Sequence, residues 1–359
     1  MTTQKKENWT MYITFLVGNG FDVASGLNTS YTSFYKWYCH QPSNSFPVDE
    51  LKQNIWLHGE NWADFEIGLG RYTSSFRAGV PPYFLDCYED AHDRMIEYIE
   101  KEEKQVDFSS LESEIKQLGN GLLKFYEELT PRERQEINSL IKDDRTNDTL
   151  LQFISFNYTD ILDRCANLLS REPLQRWLAG GDVHTFQVNP SVVHVHGTIN
   201  EYPILGVNDV SQIANLDLCK FSEFLDVMIK PESVNAIGRF WHENASKRIA
   251  DSSIVCIYGM SLGDSDAIWW QKLMSWITDS PNRHLIIYWY TSEPQTNRSI
   301  LKRNREIDRV KKRIVSFWGS TTDLSEILQD RIHVILNTNK VLRIGLKKIS
   351  STPREPVRT

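Results

Sequence analysis

MYITFLVGNGFDVASGL, residues 11–27, decides how the rest of the chain is read. The apolar run 13–17 has the composition of a buried strand; it stops at Gly18-Asn19-Gly20, and helical periodicity begins at Phe21. Strand, glycine turn and helix start, in that order, form a phosphate-binding geometry. Glycine lets a ligand approach the backbone, and a helix N-terminus presents unpaired N–H groups and a partial positive charge. The position is that of the first βα unit of a nucleotide-binding α/β domain. Third glycine and closing acidic residue of the dinucleotide fingerprint are missing, so a tight turn without a ligand is an equal reading of these residues alone.

Outward from this turn, residues 21–150 carry almost no strand character. Helical periodicity places helices at 30–38, 61–72, 83–103, 111–129 and 131–142, the last with Thr130 as N-cap and Pro131 at the first helical position. Strand character returns at 151–155, 192–196, 254–258, 285–290 and 333–336, separated by helical patterns at 160–170, 234–250, 266–278 and 296–316. Strands alternating with helices of this length predict an α/β fold, a Rossmann-like parallel sheet with a large helical insertion after the first βα unit. The expected division is 11–30 with 150–340 as the nucleotide-binding domain, 31–149 as the helical insertion, and 350–359 as a frayed tail.

Forty Lys and Arg against 47 Asp and Glu give a net charge of −7, which argues against broad nucleic-acid binding. The basic residues of 302–313 are interleaved with Ile307 and Val310, the pattern of a helix with a solvated cationic face. Five scattered cysteines without a C-x-x-C pair exclude a zinc ribbon or disulfide framework and fit a reducing cytoplasm. The polar N-terminus lacks a signal-peptide core, and no apolar run is long enough for a membrane span, so a cytoplasmic location is expected.

In an open α/β sheet, ligands bind beyond the carboxyl ends of the strands. Here the strand ends are polar or glycine-rich: Gly18-Asn19-Gly20 with Asp22, then Ser155 to Asp160, then His194-Val195-His196-Gly197, then Tyr258 to Asp266. Taken alone, Asn157 reads first as a turn residue and Asp160 as a helix cap, ahead of a ligand role for either. Strand alternation puts His194 and His196 on one face, and Gly197 points to a close approach at the backbone beside His196. Asp264 or Asp266 suits a cap or a ribose contact. Asp64 and Glu66 stand two apart, so their side chains diverge on a helix and a paired acid/base role is disfavoured.

The motifs GNGFDVASGL, FISFNYTDILD, VHVHGTI and IYGMSLGDSDAIWW, with NWADFEIGLG between the first two, resemble in order the abortive-infection AbiH family of bacterial phage-defence proteins. The resemblance runs from residue 12 to about 270. More remotely, the same order is similar to sirtuin-like NAD-binding domains. That likeness implies a pyrophosphate on Gly18 and Gly20, with Asn19 and Asp22 in the same turn, and a nicotinamide-ribose pocket at Asn157. It also implies a catalytic base at His196 followed by Gly197, and an adenosine ribose on Gly259 and Ser261, with Asp264 nearby. The acidic residue that sirtuins carry two after the asparagine is Thr159 here, and zinc cysteines are missing, which speaks against protein deacylation.

The resemblance therefore implies a defence effector that binds NAD as substrate or ligand and hydrolyses its N-glycosidic bond, with Asn157 and His196 catalytic and no metal required. It implies a nucleotide ligand and a phage-derived trigger or partner defence protein, and leaves room for a homo-oligomer. Two alternatives stand beside it: a nucleotide-sensing module without catalysis, and a nuclease or nucleotidyltransferase using Asp22, Asp264 and Asp266 with magnesium.

Overall fold

Ile13, Phe15 and Val17 of strand β1 (Met11–Val17) face one layer of helices, and Thr14 and Leu16 face the other, so both faces of the strand are buried. This central strand belongs to a seven-stranded sheet of order β3-β4-β2-β1-β5-β6-β7. Its other members are β2 (Asp148–Ser155), β3 (Leu174–Trp177), β4 (Val183–His194), β5 (Ile254–Tyr258), β6 (His284–Trp289) and β7 (Ile332–Leu336). Six strands run parallel, and the short edge strand β3 is antiparallel to β4. The computed structural model describes residues 11–76, 81–143, 148–177, 183–292, 299–319, 328, 330–338 and 340–348; the tail expected at 350–359 lies outside them.

One face of the sheet carries α1 (Gly20–Ala24), α6 (Leu111–Leu123), α7 (Pro131–Asp143) and α8 (Ile161–Leu169). The other carries α11 (Phe240–Asp251), α12 (Ala267–Thr278) and α13 (Ile300–Val315), with Trp269, Trp270 and Trp276 of α12 buried there. A third core joins α2 (Tyr31–Tyr38), α3 (Phe46–Leu57), α4 (Phe65–Tyr72) and α5 (Pro81–Glu103) to α9 (Ser222–Met228) and residues 205–218. The helical stretch after β1 therefore divides its packing, its first four long helices building a separate core and α6 and α7 covering the sheet. No described helix is long and apolar enough to cross a membrane.

Several elements differ from the sequence reading. Helix α3, strand β3 and the first half of β4 are additional. The helix expected over 234–250 is two, α10 (Lys230–Ile237) and α11, separated at Gly238, whose φ of 104° ends the first. Thr130 and Glu133 cap α7 reciprocally, as the Thr-Pro start predicts.

The chain leaves β1 toward β2 and β4 on one side and returns to β5 on the other, so the topological switch point lies between β1 and β5. There the two turns interlock. Gly18 N–H donates to Tyr258 O and Gly20 N–H to Gly259 O, while Phe21 N–H folds back to Gly18 O. A Cβ on Gly20 would lie 2.5 Å from Gly259 Cα, and Gly259 itself sits at φ 69°. The space expected to admit a pyrophosphate at Gly20 is filled by the chain's own backbone.

Gly20→Val should therefore destabilise the fold by ~1–3 kcal/mol through overpacking. Urea denaturation checks this; a midpoint equal to the parent's would show the contact to be slack.

Candidate functional site

The carboxyl ends of β1, β2, β4 and β5 meet the third core around a cavity of about 380 Å³, within the range of roughly 300–1,000 Å³ usual for small-molecule sites. Of the residues singled out from the sequence, Gly18, Asn19, Asp22, Asn157, His196, Gly259 and Ser261 line it. Gly20, Gly197 and Asp264 do not. Gly197 takes a positive φ of 71° because the chain turns back on itself there, and a Cβ would strike Tyr202 O and Glu201 O. The close approach at that backbone is made by the protein. Asp264 is exposed and bonds Arg313 of α13.

Asn157 follows β2 with its side chain buried, and neither amide atom finds an aligned hydrogen-bond partner; Asp22 Oδ1 is in the same condition. The turn-capping alternative for Asn157 fails on this point. Burial pushes the Asp22 carboxyl up to about 7, against the lowering effect of Thr159, whose Oγ1 donates to Oδ2 at 2.8 Å, and of the Asn157 amide nearby. The acid beside Asn157 thus comes from α1, and Thr159 holds it.

His194 and His196 do not share a face. The strand stops at His194, whose Nδ1 meets Asn157 O at 2.9 Å and whose Nε2 meets Asp163 Oδ2 at 2.8 Å. Two oxygen acceptors require both ring nitrogens to donate, which makes His194 an imidazolium. Burial opposes that charge, but Asp163 outweighs it and raises the pKa. The ring fixes the Asn157 peptide from behind the cavity. His196 instead lies edge-on to Phe156, with its Nε2 3.0 Å from Asp266 Oδ1 but not aligned for a hydrogen bond. Burial and then Lys230 lower its pKa, so it is neutral.

The chemistry continues into residues that the sequence reading set aside or missed. Lys230 Nζ, buried at the start of α10, reaches Glu66 Oε2 at 2.8 Å, Asp266 Oδ1 at 2.8 Å and Ser265 O at 3.1 Å. Burial opposes the ammonium, but the two carboxylates hold its pKa above the ordinary lysine range. Burial likewise opposes ionisation of Asp266, yet Lys230 keeps it far below the usual carboxylate range. Glu66 is different: burial, against the pull of Lys230, pushes it up to about 8. Asp64 caps α4 through Glu66 N and Ile67 N and accepts Ser265 Oγ at 3.0 Å. Asp64 and Glu66 are therefore not a mutual pair, as their spacing predicts, but both face the cavity. Nothing around Lys230 marks it except its place as a lone lysine before Pro231 in an otherwise apolar run.

Two expected caps do not act as caps. Asp160 precedes α8 but pairs with Arg164, and Asp266 precedes α12 but turns to Lys230. Asp22, Asp264 and Asp266 each have separate partners, so the magnesium constellation is not assembled.

A mostly parallel α/β sheet with a polar, carboxylate-rich cavity at its switch point is the class that this geometry defines. Residues 14–288 match the model of the family described as bacteriophage abortive infection AbiH, and the chain belongs to that family. No curated protein matches the chain in sequence.

Lys230→Met leaves Glu66 and Asp266 buried beside each other without a cation, and should cost ~3–5 kcal/mol in urea unfolding. A loss under 1 kcal/mol, about the worth of a surface ion pair, would show the cluster to be solvated.

Asp22→Asn should act in the opposite direction. The folded pKa of Asp22 lies above its ordinary 3.8, so its burial penalty is absent below that value, grows as the pH rises, and is complete above about 7. The variant should gain at least ~2 °C in Tm at pH 8 and nothing at pH 4; equal gains at both pH values would contradict the shift.

Proposed function

We propose that the protein serves abortive infection by hydrolysing the N-glycosidic bond of NAD in this cavity. The observation that carries the reading is Asn157: a buried amide that makes no aligned hydrogen bond, on a residue whose backbone carbonyl His194 holds, set beside the protonatable Asp22. Buried polar groups left open in a cavity lose solvation unless a ligand or water restores it, and a ribose hydroxyl and an attacking water are the groups that the reading supplies.

In the reaction, the C1′–N bond breaks and its electron pair passes to the nicotinamide ring nitrogen, which leaves neutral. Positive charge builds on the ribosyl C1′, where the carboxylates favour it. Water adds to C1′, and the proton that it sheds goes to the neutral His196 imidazole. Asp266 faces that imidazolium as it forms, and Lys230 keeps Asp266 ionised for that task. Asn157 orients the water and ribose.

His196→Ala and Asn157→Ala should each lower nicotinamide release by about 10²–10⁴-fold and abolish protection against phage. Because the Asn157 amide makes no aligned bond, Asn157→Ala should keep Tm within ~2 °C of the parent, whereas a structural asparagine would cost ~1–3 kcal/mol. If NAD stays constant in infected cells while the parent chain protects and His196→Ala does not, the cavity senses a nucleotide and does not cut it.

A further inference from the structure

We propose that the cavity recognises the cationic N-riboside end of its substrate, the ribose with its positively charged base, and that phosphate groups take no part in recognition there. This rests on the hydrolytic reading and narrows its substrate class. The argument begins with donors. An anion inside a protein is held by N–H groups or cations with valences to spare.

At the glycine turn three of those valences are spent. The amides of Gly18, Gly20 and Phe21 all donate to backbone carbonyls at 2.8–2.9 Å. Lys230 has three N–H bonds to give, and Glu66, Asp266 and Ser265 O take all three. Arg313, the cation beside the 262–264 turn, is bound to Leu262 O and Asp264. Among the described buried side chains at the cavity, what remains open is Asp22 Oδ1, the Asn157 amide and His196 Nε2, none of them a cation. These are groups for hydroxyls and for positive charge.

Charge agrees with the donor count. Asp22, Asp64, Glu66 and Asp266 all line the cavity against one ammonium that is already neutralised. A pyrophosphate at this wall meets the ionised Asp266 and carboxyls that gain nothing by ionising beside an anion. A nicotinamidium riboside meets the complementary field, and the same field stabilises the ribosyl cation that forms as the base departs. Carboxyls held protonated by burial ionise when a cation enters, so the site need not bury their charge while it is empty.

The test compares NAD with nicotinamide riboside, which has the same cationic base and ribose and carries no phosphate, on the purified full-length chain. Nicotinamide release gives kcat/KM for each, and calorimetry gives Kd for nicotinamide riboside and for ADP-ribose, which keeps the phosphates and loses the cation. The expected result is a riboside kcat/KM within about tenfold of that for NAD, a difference under about 1.4 kcal/mol, and tighter binding of the riboside than of ADP-ribose. Cleavage of NAD with the riboside more than tenfold worse, or ADP-ribose bound more tightly, overturns this inference and leaves the hydrolytic reading standing. If neither substrate is cut but the riboside still binds more tightly than ADP-ribose, hydrolysis falls and the recognition stands. If neither ligand binds, both fall.

Discussion

Lys230 is the pivot of the molecule. Its ammonium ties α10 to Glu66 on α4 and to Asp266 at the head of α12, three segments that no local sequence rule brings together. An ion cluster of this kind contributes little net stability over an apolar replacement of the same shape, since desolvation consumes most of the Coulombic gain. Its effect is to define geometry. With Lys230 in place, Asp266 has one orientation and is ionised, and the same ammonium adds to burial in keeping His196 neutral. The third core then lies where Asp64 and Glu66 form a wall of the cavity.

Residues near the strand ends were readable in advance because their signal is local. A short apolar run that stops at glycine or at Asn-Tyr-Thr-Asp marks where a buried strand meets a turn, and the carboxyl edge of a parallel sheet collects such turns. Gly18, Asn157, His196 and Ser261 reach one cavity for that reason. The remaining features depend on partners far along the chain. The Gly20 amide looks like a phosphate donor until Gly259 O, about 240 residues later in the chain, takes it. His194 and His196 obey strand alternation only as far as the strand goes, and it ends at His194. Glu66 was rightly separated from Asp64 as a pair, yet its true partner is Lys230, and no periodicity reports a contact between α4 and α10.

Stability and chemistry pull against each other at this edge. The unpartnered Asn157 amide and the buried carboxyls of Asp22 and Glu66 are features that a chain selected for stability alone would replace. Elsewhere the packing is conventional: apolar layers fill both faces of the sheet, and Thr14 finds Ser252 while Arg248 finds Phe153 O and Ser191 O. Asp22 Oδ1, the Asn157 amide and His196 Nε2 are left without aligned partners at the cavity itself, where a ligand can complete them.

The order in which the cluster's members are synthesised has its own consequence. Glu66 leaves the ribosome early, Lys230 and His196 well past the middle of the chain, and Asp266 later still. Domains generally fold as units during synthesis at about 5–20 residues per second, so α2 to α5 wait many seconds for residues 205–228 of their core and for the Lys230 partner of Glu66. A truncated or stalled chain ending before Asp266 carries every glycine of the first turn and still lacks the carboxylate that faces His196. The ion cluster around Lys230 is therefore complete only once synthesis has passed Asp266.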